Sequence, residues 1–160
     1  MGSVLVIGGG AAGLAAAIAA AECGDTVTVA EKMDRVGKKI LATGNGRCNL
    51  MNTGAPRYPG NAAFAVDVLS HCGAEAQKAF WEHLGLRLRQ EEAGRVYPVS
   101  SQASSVLDAL RLQLTALHVR VVTGVSITAL HRENDGWTAL SADGQQSVSY
   151  THLRAHETLA

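Results

Sequence analysis

The chain has 160 residues, 47% of them apolar and 18% charged, with 14 basic and 14 acidic side chains. This length fits one domain with a real core, and the balance excludes a disordered or fibrous chain. A formal charge of zero, with Lys and Arg scattered, leaves no electrostatic footprint for nucleic acid or an anionic membrane.

Val4-Leu5-Val6-Ile7 is a short β-branched apolar run ending at glycines, the pattern of a buried parallel strand. Ala11 to Glu22 is Ala-rich, with Leu14 and Ile18, and predicts a helix with a small-residue face. The nearly apolar stretch from Ser3 to Ala21 follows no Lys or Arg and is broken by Gly8-Gly9-Gly10, which argues against reading it as a signal peptide or membrane span. Gly24-Asp25 supplies a turn, and Val27 to Ala30 forms a second strand ending at Glu31, with Val27 and Val29 facing inward. Strand, helix and strand in about thirty residues imply a right-handed βαβ crossover.

From Lys32 to about Asn61 there are few regular signals, only Gly, Asn, Lys and Arg, and loops of such length serve binding or act as lids. Ala62 to Ser70 and Ala74 to Leu84 read as helices. Leu86 to Gln90 and Arg95 to Val99 read as a hairpin around Ala93-Gly94, with Glu91-Glu92 solvated in its turn. Ser100 or Ser101 is expected to cap a helix running to about Leu117, with Val106, Leu110 and Leu114 on its apolar stripe. Val119 to Thr123, Ser126 to His131, Gly136 to Ser141 and Gln146 to Tyr150 read as strands, turning at Asn134-Asp135-Gly136 and Asp143-Gly144.

Cys23, Cys48 and Cys72 form no CxxC pair, and an odd, sparse set reads as reduced thiols of a cytoplasmic protein. His71, His83, His118 and His131 share no spacing that suggests a metal or acid–base work. Trp81 and Trp137 are expected to pack in the core or a hairpin.

The strongest signal begins at Gly8. Gly8-Gly9-Gly10-Ala11-Ala12-Gly13 satisfies GxGxxG directly after a strand and at a helix start. Gly8 permits the tight turn, Gly10 lets backbone approach a pyrophosphate, and Gly13 lets the helix pack on the sheet. The amides of Ala11, Ala12 and Gly13 would hold the phosphates, where the helix dipole favours an anion by roughly 0.3–1 kcal/mol. Glu31, at the end of the second strand, can accept both adenosine ribose hydroxyls and would repel a 2′-phosphate. The alternative for Glu31 is a solvated carboxylate paired with Lys32. The fingerprint alone leaves FAD and NAD both open.

A second motif is more specific. Gly37-Lys38-Lys39-Ile40-Leu41-Ala42-Thr43-Gly44-Asn45-Gly46-Arg47-Cys48-Asn49-Leu50, followed by Asn52, resembles a hallmark of the BaiN-like bacterial NAD(P)/FAD-dependent oxidoreductases, the aminoacetone-oxidase-type flavoproteins. Gly94-Arg95-Val96-Tyr97-Pro98-Val99-Ser100-Ser101-Gln102-Ala103 matches a second motif, GR[VL]FPVS in relatives, with mild departures at Lys38, Tyr97 and Gln102. The resemblance spans about Val4 to Leu140. It implies an α/β, Rossmann-like FAD-binding domain with a parallel sheet and a C-terminal β-meander, from an enzyme two to three times this length.

It further implies that the Lys39 to Asn49 loop lines the FAD pyrophosphate and isoalloxazine. Gly44 and Gly46 would let backbone lie against the ring, and Thr43, Arg47 and Asn49 would offer donors. Arg47 is expected to stabilise negative charge on phosphate or reduced flavin, against the alternative of a structural salt bridge. Lys32, Lys39 and Cys48 join the candidate cofactor contacts, although Cys48 as a lone buried thiol fits packing better than redox work. Val125 occupies the place where related flavin folds offer backbone to the adenine.

The expectation for activity is hydride transfer between NAD(P)H or an organic substrate and the flavin, acting on a small molecule, with no catalytic acid or base named. A non-catalytic dinucleotide-binding module and an NAD-dependent dehydrogenase are the alternatives. Residues 1–149 read as the FAD-binding domain, incomplete relative to the family. Residues 150–160 read as a tail that departs from the family and fits no strand, so this fragment alone is expected to be inactive.

Overall fold

The computed structural model describes residues 1–55, 58–133, 136–144, 146–150 and 152–155. Two compact units are present, Met1–Lys39 with Leu110–Ala160, and Ile40–Ala109.

In the first unit, β1 (Ser3–Ile7), β2 (Thr26–Glu31), β6 (Arg120–Thr123) and β10 (His152–Ala155) form a parallel sheet in the order β10-β1-β2-β6. Val4, Val6, Val27 and Val29 pair in register as Val4 with Val27 and Val6 with Val29. α1 (Ala11–Glu22) connects β1 to β2 and buries Gly13, Leu14, Ala17 and Ile18, one stripe of a 3.6-residue period. Burying Leu14 and Ile18 contributes about 1.5–3 kcal/mol each. β7 (Ile127–Glu133), β8 (Gly136–Ser141) and β9 (Gln146–Tyr150) form the antiparallel meander. Ile127 and Ala139 of the meander pack with Leu5 and Ala30 of the parallel sheet, flanked by Ile7, Val125 and Leu130. β1 is therefore covered on both faces, which is why Val4, Leu5 and Val6 form an unbroken apolar run.

The second unit carries a smaller antiparallel sheet of β3 (Met51–Asn52), β5 (Arg95–Pro98) and β4 (Leu88–Gln90), in the order β3-β5-β4. The expected hairpin is β4-β5. α2 (Lys38–Ala42) runs into a short 3₁₀ turn, Thr43–Gly46, and α3 (Ala62–His71) and α4 (Ala74–His83) follow β3. The chain passes from one unit to the other within α2, after Lys39, and within α5 (Ala103–Ala116), which buries Ala103, Val106, Leu107, Leu110 and Leu114.

Three local expectations are corrected. α5 starts at Ala103, and neither Ser100 nor Ser101 caps it. Ser101 sits at φ +54, and the Ser100 hydroxyl accepts the Gln102 amide at 3.3 Å in the turn before the helix. The segment after Glu31 is not structureless, since α2, the 3₁₀ turn and β3 lie within it. A strand also follows Tyr150: Val4, Leu5, Val6 and Ile7 pair parallel with His152, Leu153, Arg154 and Ala155. The strand is only four residues long, two of them polar, too short for a period to register in the sequence. Of the turn expected at Asn134-Asp135-Gly136, residues 134 and 135 lie outside the described residues, as do 151 and 156–160.

Candidate functional site

The turn from β1 into α1 is built from four glycines that serve different purposes. Gly8 has φ +96, a conformation that L side chains resist, and its amide donates to the Ala30 carbonyl at 2.8 Å. At Gly13 a Cβ would lie 2.0 Å from the Gly8 carbonyl oxygen and 3.4 Å from Val6 Cγ1, so only glycine lets the helix settle against the strand end. Gly9 is closed in as tightly, because a Cβ there would meet Val36 Cγ1 at 2.4 Å.

Gly10 differs from the other three. It is the N-cap of α1, its φ of −79 suits any residue, and a Cβ there would meet nothing within 4 Å. Nothing among the described residues requires glycine at this position. The open space lies at the start of a helix whose cap makes no side-chain hydrogen bond and whose first turn holds no acidic residue. Ala11 and Ala12 are exposed there. Orphan helical amides beside an open cradle fit a phosphate.

Glu31 lies at the tip of β2 and is buried. Its Oε2 accepts the Gly9 amide at 2.6 Å and its Oε1 accepts the Met33 amide at 2.8 Å. The carboxylate thus locks the glycine turn to the end of the neighbouring strand. Each oxygen retains a further lone-pair direction, so the two amide bonds are compatible with hydroxyls on the outer side. The alternative of a solvated surface carboxylate does not hold. Val125 belongs to the same cluster, its amide donating to the Glu31 carbonyl at 3.0 Å. That bond leaves the Val125 carbonyl, rather than its amide, as the backbone group to offer a base. Gly9, Met33 and Val36 were not singled out from the sequence. The extra glycine in the Gly8-Gly9-Gly10 run was the available signal for Gly9.

Thr43, Gly44, Arg47, Cys48 and Asn49 come together in the second unit, in the loop between α2 and β3. The Thr43 hydroxyl donates to the Ile40 carbonyl at 2.7 Å, a local bond within one turn. A Cβ on Gly44 would lie 2.9 Å from the Asn49 amide nitrogen, so the loop closes on itself there. Cys48 is a buried free thiol at φ +58. The Asn49 amide, oriented so that its nitrogen donates, reaches the carbonyls of Val96 at 3.2 Å and Met51 at 3.0 Å. Lys32 and Lys39 are exposed.

Arg47 makes the most developed contacts in this loop. Its guanidinium carbon lies 4.1 Å from the centroid of the Tyr97 ring, and its Nη2 donates to Glu91 Oε1 at 2.5 Å. Arg89 Nη2 donates to the same oxygen at 2.7 Å and to the Ser101 hydroxyl at 3.0 Å. The hydrogen bond from Arg47, then that from Arg89, hold the Glu91 carboxyl below its ordinary value of 4.5. Glu91 is therefore an ion-pair centre rather than the solvated turn residue that its place in the hairpin suggested. Its partner lies 44 positions away, a pairing that no sequence spacing announces.

Among the described residues no group of three or more His, Cys, Asp or Glu could hold a metal ion, and no helix is long and apolar enough to cross a membrane.

A glycine-lined turn opening a helix, an acid at the tip of the adjacent strand and an all-parallel sheet define a Rossmann-type domain. Comparison with known families agrees, the HI0933-like protein Rossmann domain matching residues 2–154. The chain belongs to this HI0933-like, BaiN-like family. It is 44% identical over 151 residues to the 3-dehydro-bile acid delta(4,6)-reductase of Clostridium scindens, covering 91% of this chain and 36% of that protein. It is 26% identical over 141 residues to the ribosomal RNA dihydrouridine synthase of Haemophilus influenzae, covering 82% of this chain and 33% of that protein. The crystal structure of Thermovibrio ammonificans THI4 shares the fold with a TM-score of 0.61 at 15% identity, over 96% of this chain and 55% of that one. The chain thus spans about a third of the length of the curated relatives it matches.

Proposed function

We propose that this chain is the FAD-binding part of an oxidoreductase that passes hydride between a flavin and NAD(P)H or an organic substrate. The observation that carries the reading is the space at Gly10, an open cradle at a helix start with a buried acid fixed beside it. The amides of Ala11, Ala12 and Gly13 would hold the diphosphate, and Glu31 would accept the ribose hydroxyls on the outer side of its carboxylate. The Val125 carbonyl would face the adenine. The loop residues Thr43, Gly44, Cys48 and Asn49 would supply backbone against the flavin, and Arg47 its positive charge.

FAD, when bound, supplies the hydride chemistry, and this chain's residues bind and orient it. The relative named for a 3-dehydro-bile acid supports a small organic molecule as substrate. Membership of the family and its TGNGRCN loop favour a flavin over an NAD-only dehydrogenase or a passive dinucleotide carrier.

Titrating the purified chain with FAD tests the reading. The expected outcome is saturable quenching of flavin fluorescence that is lost in Gly10→Ser and weakened in Glu31→Ala. Equal affinity of all three proteins for FAD would overturn it.

A further inference from the structure

Glu91 lies 2.5 Å from Arg47 and 2.7 Å from Arg89, and both guanidiniums share its single Oε1. Two cations and one anion leave the cluster with one net positive charge. Arg47 does not depend on Glu91 alone for its place, since the Tyr97 ring lies 4.1 Å beneath it. Its side chain is 37% exposed and that of Glu91 26%. The ring fixes the plane of the guanidinium, and the carboxylate offsets the charge that the edge presents outward. Arg89 is held separately by the Ser101 hydroxyl at 3.0 Å, which keeps the carboxylate divided between two cations.

We infer that Glu91 is a charge-setting residue that acts through Arg47, moderating the positive charge this loop delivers to the flavin. The inference rests on the proposed FAD reading. Reduced flavin carries negative charge, so a guanidinium relieved of its carboxylate stabilises the reduced form more. A role confined to tying the loop to β4 would alter thermal stability and leave the cofactor's potential unmoved.

The test is the midpoint potential of FAD bound to this chain, measured by equilibration with redox dyes. It is measured in wild type, Glu91→Gln, Arg47→Gln and the double variant. Glu91→Gln is isosteric and is expected to raise the potential by about tenfold in the reduction equilibrium, or ~30 mV for a two-electron couple. Arg47→Gln is expected to lower it. In the Arg47→Gln background the Glu91→Gln shift should fall below about a third of its size, because the effect runs through Arg47. An unmoved potential in Glu91→Gln, or an equal shift in both backgrounds, overturns the inference. Should Glu91→Gln fail to fold, Arg89→Gln provides the second measurement. It strengthens the hold of Glu91 on Arg47 and is expected to lower the potential, and a rise would overturn the inference. A wild-type chain that takes up no FAD would instead overturn the proposed function, and a shift absent from Arg47→Gln alone would remove Arg47 from the flavin.

Discussion

Gly10 and Gly13 sit three residues apart, yet substitution should affect them in opposite ways. Gly13→Ala forces a methyl to within 2.0 Å of the Gly8 carbonyl oxygen and is expected to destabilise folding by about 1–3 kcal/mol or more in urea unfolding. Gly10→Ser meets open space at an N-cap where serine is favoured, so unfolding should shift by less than about 0.5 kcal/mol. Its FAD affinity, measured by fluorescence quenching, should nonetheless fall at least about tenfold. Glu31→Ala strands the amides of Gly9 and Met33 and is expected to cost about 1–3 kcal/mol of stability before any cofactor is added. The glycines and Glu31 were legible in the sequence because the motif fixes their spacing within a single βαβ unit. Glu91 was not, since its bond to Arg47 depends on how β4 lies against a distant loop. The bond from the Thr43 hydroxyl to the Ile40 carbonyl is local, yet the motif gave no sign of it, because it depends on how α2 ends.

Among the elements, those with a clean period were read correctly. α1 and α5 bury the residues that a 3.6-residue stripe selects, and β1 and β2 show the apolar runs of a covered parallel sheet. α2 and β3 escaped because they are five and two residues long, too short for a period to register. β10, at four residues, escaped for the same reason. The contact between the glycine turn and the chain after β2 has its own consequence. The Gly37 amide donates to the Gly9 carbonyl at 2.7 Å, and Val36 fills the space beside Gly9. Gly9→Ala is expected to lower stability by about 1–3 kcal/mol, and Val36→Ala in the same chain to recover part of that loss. Chemical denaturation of both single variants and the pair would show it, and strict additivity would refute the contact.

On the scale of the whole molecule, the first unit carries two sheets and the second one, and they differ in what holds them. The first relies on apolar layers on both faces of β1, the second on a shorter sheet braced by the Arg47-Glu91-Arg89 cluster. That difference predicts different responses to acid. Because the Glu91 carboxyl sits below its ordinary value of 4.5 in the folded chain, its contribution is fully present above that value and is lost as pH falls through the lower folded one. Thermal melts should therefore show the wild-type chain losing an advantage over Glu91→Gln only in that acid range, and a constant difference across it would contradict the ion pair.

The pairing of β1 with both β2 and β10 reaches beyond topology. The turn proposed to hold the diphosphate leaves from a strand tethered along each side, so its mouth cannot fray from an open border. In deuterium labelling, the amides of Val4 to Ile7 should be among the last to exchange, and the cradle they lead into should already have its shape before any ligand arrives.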